Sequence, residues 1–188
     1  MKKLFLLLFV YLAALHSSEP PQIYFSPKDH IADRLIALIE KERTSLQIAV
    51  YCFTHREIAQ ALVDAKLRGV AVELIIDPYS IRANIPVDKM LEVGIPVYVW
   101  APPSKSMRKP IMHHKFCVFG DGLLWTGSFN FTYQANKANQ ENVIVSDTPE
   151  VIQRYKDQFE VLKKGPCMRY NEYLNAFPKN DMPLKKTG

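Results

Sequence analysis

Apolar and polar positions fall into blocks along this chain, and the spacing inside the blocks switches between the strand and helix periods. Gln22-Ile23-Tyr24-Phe25-Ser26 reads as a first strand. Pro27-Lys28-Asp29 opens a helix that places Ile31, Leu35, Leu38 and Ile39 on one face. Leu46 to Phe53 is almost continuously apolar, as in strands buried on both faces. Thr54, with Glu57 three residues on, predicts a capped helix that buries Ile58, Ala61, Leu62 and Ala65 and stops at Arg68-Gly69. Val70 to Ile76 is a second buried strand, ended by Asp77-Pro78. Strand, helix, strand, helix, strand predicts an α/β fold with a mixed, largely parallel β-sheet flanked by helices.

The second half has a different rhythm. Pro78 to Pro86 reads as loop, Asp88 to Val93 as a short helix, and Ile95 to Trp100 as a strand. Two apolar runs then flank Gly120-Asp121-Gly122, the pattern of a β-hairpin. Tyr133 to Asn139 is a short polar helix or loop, and Glu141 to Ser146 a strand. Pro149 suits the first position of a helix with Val151, Ile152, Tyr155, Phe159 and Leu162 on its apolar side. From Gly165 on, Pro, Asn and Lys predict a partly loose tail. There is no internal repeat.

Met1-Lys2-Lys3 precedes an unbroken apolar run from Leu4 to Leu15. A spanning helix needs about 20 such residues, so this run reads first as a secretory leader and second as a membrane anchor. The expected organisation is therefore a signal peptide or N-terminal anchor over 1–18 and a single catalytic domain over 19–188. Export to the periplasm or cell envelope follows, with membrane association through residues 4–15 where the leader is kept as an anchor. Composition is that of a globular chain, 48% hydrophobic, with a formal net charge of +5. Without Lys2 and Lys3 the excess is +3, which permits a polyanionic partner without requiring one. Cys52 and Cys117 sit in apolar runs and read as core residues, and Cys167 is open to pairing. An odd count of three argues against a disulfide framework.

The chemistry is concentrated in the hairpin. Side chains alternate along a strand, so His113 and Lys115 share a face and His114 takes the other. A histidine beside a fixed positive charge suits a phosphate. The second hairpin strand ends in Gly127-Ser128-Phe129-Asn130, which brings a hydroxyl and an amide to the neighbouring strand end.

His113-x-Lys115 followed by Gly127-Ser128-x-Asn130 resembles the HxK…GSxN signature of the phospholipase D superfamily. With Phe131-Thr132 and Glu141-Asn142 it is most similar to the small, single-motif bacterial endonucleases of that superfamily. The resemblance covers about Gln22 to Val161. In the family pattern an Asp follows the Lys by five residues; here that position is Gly120, and Asp121 comes next. The resemblance implies a phospholipase D-like fold and hydrolysis of a phosphodiester through a phosphohistidine. It gives catalytic roles to His113, Lys115, Asn130, Glu141 and Ser128, and a supporting one to Asp121. It implies no cofactor and no metal, since Lys115 supplies the charge. It also implies a homodimer with a shared active site, because the mechanism uses two histidines and only one HxK is present.

The leading expectation is an exported, metal-independent endonuclease on DNA, or RNA, with little sequence preference. The alternatives are a phospholipase or phosphatidyl transferase on membrane lipid, and a non-catalytic nucleic-acid-binding module. Lys105, Arg108 and Lys109 precede the motif and are candidates for guiding a phosphate backbone. Trp100, Trp125, Phe129 and Tyr133 are either core or base-stacking residues. Glu141 can hydrogen-bond and orient a histidine ring. His16, His30 and His55 lie outside the pattern.

Overall fold

A computed structural model of the chain describes residues 20–102 and 110–178. The leader and Lys105, Arg108 and Lys109 lie outside these residues. One eight-stranded sheet runs in the order β1-β7-β6-β5-β2-β3-β4-β8. Its strands are β1 (Gln22–Phe25), β2 (Ser45–Val50), β3 (Ala71–Ile76), β4 (Val97–Trp100), β5 (Lys115–Phe119), β6 (Leu123–Gly127), β7 (Asn142–Ser146) and β8 (Cys167–Arg169). The helices are α1 (Ile31–Lys41), α2 (Arg56–Leu67), α3 (Pro78–Arg82), α4 (Asp88–Glu92), α5 (Tyr133–Lys137), α6 (Pro149–Lys164) and α7 (Tyr170–Ala176).

The sheet is mixed, as the pattern predicts, but it is not largely parallel. Only the β2–β3 and β3–β4 pairings are parallel. The other five are antiparallel. A parallel neighbour requires a crossover that returns to the adjacent strand, and among the described residues only α2 and the α3–α4 segment do this. Beyond β4 the chain returns by a hairpin and by the short α5 connection, which force antiparallel neighbours. β1 also departs from the simple β-α-β order, crossing to the far edge to pair with β7.

Two apolar clusters lie on the two sides of this sheet. On one side α1 and α2 bury Leu35, Ile39, Ile58 and Leu62 against Leu46, Ile48, Leu74, Ile76 and Trp125. On the other, α6 buries Ile152, Phe159 and Leu162 against Ala49, Ile75, Phe116 and Leu124. Val151, expected on the apolar side of α6, is instead 40% exposed.

Three further elements differ from the pattern. Thr54 does not cap α2; its N–H and that of His55 donate to the Phe131 carbonyl, and His55 takes the N-cap position. The stretch after Asp77 is not loop but α3, whose first turn forms because Pro78 fits there and the Asp77 side chain accepts from Tyr79 N–H. The segment after Gly165 carries two elements that the pattern does not show: β8 pairs with β4, and α7 buries Tyr170 and Tyr173.

Candidate active site

The site forms where the carboxyl ends of β2 and β3 meet the start of β5. Because β5 runs antiparallel to β2, Lys115 stands opposite Val50, and the His113-His114 pair lies just outside the sheet edge. The carboxyl edge of parallel strands is where open α/β sheets gather ligands. Lys115 is only 8% exposed, while His113 is exposed. Lys115 Nζ donates to the His113 carbonyl oxygen at 2.8 Å and stands 2.9 Å and 3.0 Å from the two ring nitrogens. His114 takes the opposite face, as strand alternation predicts: its ring packs on Phe116, 5.6 Å away, on the α6 side.

Partial desolvation, and then the Lys115 charge, hold the His113 pKa below its ordinary 6.5, with Asp77 opposing them. The shift favours the neutral ring, the form with a free lone pair. Burial lowers the Lys115 pKa, and the Glu141 carboxylate is the largest opposing influence.

The Gly-Ser-x-Asn segment comes alongside through close backbone approach. A Cβ on Gly127 would collide with the Asn142 carbonyl oxygen, so β6 can run this close to β7 only with glycine there. Ser128 Oγ then donates to Glu141 Oε2 at 2.5 Å and accepts from Asn142 N–H at 3.0 Å. Asn139 Nδ2 donates to the other Glu141 oxygen at 3.0 Å. Asn130 Oδ1 accepts from Cys52 N–H at 3.3 Å, and Phe131 exchanges backbone bonds with Cys52, Thr54 and His55. These bonds stitch the segment to the chain leaving β2.

Glu141 does not orient a histidine ring as expected; among the described residues its side-chain bonds go to Ser128 and Asn139, and its charge acts on Lys115. The carboxylate nearest in effect to His113 is Asp77, a residue the pattern marks only as a strand terminator. Asp77 is 4% exposed, and its Oδ2 accepts from Met112 N–H at 2.9 Å, one residue before His113. Burial raises the Asp77 pKa, against the backbone bonds from Tyr79 and Met112. An acidic residue closing an apolar run at the carboxyl edge of a sheet was the available signal.

Asp121 does not support the site. It lies at the hairpin tip, beyond the far end of β5, a strand about 13 Å long that starts at Lys115. Its backbone N–H donates to Glu42 Oε2 at 3.2 Å, and its side chain is exposed. Glu42, 2% exposed, is the carboxylate that holds this turn, since Oε1 also accepts from the N–H groups of Thr44 and Ser45. Gly120, standing where the family pattern has Asp, lies so close to Thr44 Oγ1 that no side chain fits. Of the candidate stacking aromatics, Trp125 and Phe129 are core at 1% exposure, and Tyr133 is exposed on α5. The aromatic that does touch the site is Tyr51, whose ring lies 4.6 Å from that of His113. Among the described residues no group of three His, Cys, Asp or Glu stands together in a way that could hold a metal ion. The three cysteines are free.

Residues 35–163 match the family described as cardiolipin synthase, PLD-like domain. A mitochondrial cardiolipin hydrolase of Xenopus tropicalis is 30% identical over 135 residues, 71% of this chain and 61% of that protein. The chain thus spans about three-fifths of this relative's length. A phospholipase D of Rickettsia typhi is 27% identical over 132 residues, 70% of this chain and 62% of that protein. Among solved structures, the phospholipase D family member Nuc from Salmonella typhimurium superposes with a TM-score of 0.70 at 28% identity, covering 80% of this chain and 97% of Nuc. NucT from Helicobacter pylori superposes with a TM-score of 0.69 at 25% identity, covering 80% of this chain and 99% of NucT. The chain belongs to the PLD-like domain family of the phospholipase D superfamily. Within it the chain is Nuc-like in fold.

Proposed function

We propose that this protein is a phosphodiesterase that cleaves nucleic acid, DNA in the first place, through a covalent intermediate on His113. The observation that carries the reading is the exposed His113 ring set 2.9 Å and 3.0 Å from the buried Lys115 Nζ. In the first step a His113 ring nitrogen bonds to phosphorus and the bond to the leaving oxygen breaks. A second histidine gives that oxygen its proton, then takes one from the water that breaks the phosphorus–nitrogen bond. Lys115 and Asn130 hold the non-bridging oxygens as charge builds on them. Ser128 and Glu141 brace the lysine side of the site.

The second histidine comes from a second copy of the chain. His114 faces α6, and neither His30, at the α1 N-cap, nor His55, at the α2 N-cap, has a lysine two residues on. A two-fold dimer would set two His113-Lys115-Asn130 groups across one phosphate. The leader is read as directing this domain to the periplasm or envelope, and Lys105, Arg108 and Lys109 as meeting the flanking backbone.

The nucleic-acid reading is supported by the structural likeness to Nuc and NucT, at TM-scores of 0.70 and 0.69. The lipid reading is supported by the description of the matching family and by the names of the relatives. Incubating the pure protein with plasmid, single-stranded oligonucleotide and cardiolipin vesicles separates them. Cleavage of DNA alone is the expected result. Release of phosphatidic acid without DNA cleavage would select the lipid reading, and turnover of none of the three would leave a binding module.

A further inference from the structure

The β2 end and α3 build a second feature beside His113 that the reaction itself does not use. Tyr51 and Tyr79 stack with ring centroids 5.1 Å apart and planes 7° from parallel. On the same Tyr51 ring, His113 packs at 4.6 Å, and Lys115 Nζ lies 5.3 Å from the centroid. The two tyrosines are held by the backbone rather than by chance contact. Ser80, fully buried, donates its hydroxyl to the Tyr51 carbonyl at 2.9 Å and accepts from Phe53 N–H at 3.1 Å. Asp77 fixes the start of α3 through Tyr79 N–H at 2.8 Å. Tyr79 is nevertheless 38% exposed. Arg82, three residues on along α3 and exposed, shares that helix face, and its charge is felt at Tyr51 and Asp77.

We infer that the Tyr51–Tyr79 stack is a base-binding subsite: an unpaired nucleobase flanking the scissile phosphate lies on the Tyr79 ring, and Arg82 meets the adjoining phosphate. A rigid, half-exposed aromatic face suits any base, because each base has a π-face, and a base can lie on it only when released from a duplex. A lipid headgroup such as glycerol has no flat ring to place there. The subsite therefore rests on the nucleic-acid reading and narrows it to single strands, DNA or RNA, with stacking in place of sequence readout.

The test compares kcat/KM on a single-stranded DNA oligonucleotide and on an oligomer of the same length built entirely of abasic tetrahydrofuran phosphates. Wild-type protein should favour the base-bearing strand by about tenfold or more. Tyr79→Leu keeps apolar bulk without a π-face and should bring the ratio close to one. Tyr79→Phe should restore it. A wild-type ratio near one, or an unchanged ratio in Tyr79→Leu, overturns the subsite and leaves the nuclease reading standing. Failure of the wild type to cleave either oligomer overturns both.

Discussion

Asp77 Oδ2 accepts the Met112 N–H at 2.9 Å, which ties the end of β3 to the residue just before His113, the proposed nucleophile. The same carboxylate raises the His113 pKa against desolvation and Lys115, which lower it. One buried acid thus acts on both the position and the protonation of His113.

From this follows a pH prediction. Attack needs neutral His113, so turnover should rise with pH through the His113 pKa, which lies below the ordinary 6.5. Asp77→Asn removes the influence that raises it, so the acid limb of kcat/KM and the NMR titration of His113 should both move to lower pH. A shift to higher pH would contradict the arrangement.

Removing the Lys115 charge should act on the reaction more than on the fold. Lys115→Met keeps an apolar stem in the buried position and takes away the ammonium beside the reacting phosphate. The expected loss is about 10²–10³ in kcat. Steady-state kinetics on protein shown by circular dichroism to be folded would measure it, and a loss below tenfold would mean that another group carries the charge.

Glu42 makes the clearest stability prediction. Burial alone would raise its pKa, but hydrogen bonds from Thr44, Asp121 and Ser45 outweigh burial and lower it below 4.5. Its contribution is therefore fully present above pH 4.5 and is lost as pH falls through the lower, folded-state value. Glu42→Ala leaves several N–H groups unpaired and should cost about 2 kcal/mol or more at pH 7 by denaturant unfolding. The gap between variant and wild type should narrow in acid.

The shared site predicts a quadratic response. When His113→Ala chains are mixed with wild-type chains and allowed to exchange, mixed dimers lack one of the two histidines. Activity should fall as the square of the wild-type fraction. A linear fall, or a fully active monomer in sedimentation at assay concentration, would rule the composite site out.

Most of the strands, and the His113-Lys115 pair, were legible because apolar patterning is strong in buried strands and because the HxK and GSxN segments are local in sequence. What stayed hidden depends on contacts between distant segments. Glu42 and Asp121 are far apart in the chain, and only the folded hairpin brings the Asp121 N–H to Glu42. Tyr79 reads as loop because the helix that presents it is only five residues long and is set up by the single Asp77 cap. The sequence pattern overstates parallel pairing because the crossover rhythm of the first half does not continue past β4. It also hides β8 and α7, whose apolar positions Tyr170 and Tyr173 lie within a polar tail ordered by pairing with β4.

The most direct test is to trap the covalent intermediate. A single-stranded oligonucleotide with ³²P in its internal phosphates is mixed with the protein in the burst phase, quenched in alkali and digested, and the labelled peptide is sequenced. The account predicts label on His113, acid-labile and alkali-stable as a phosphorus–nitrogen bond requires, and none in His113→Ala. Label on any other residue, or rapid cleavage by His113→Ala, would contradict it.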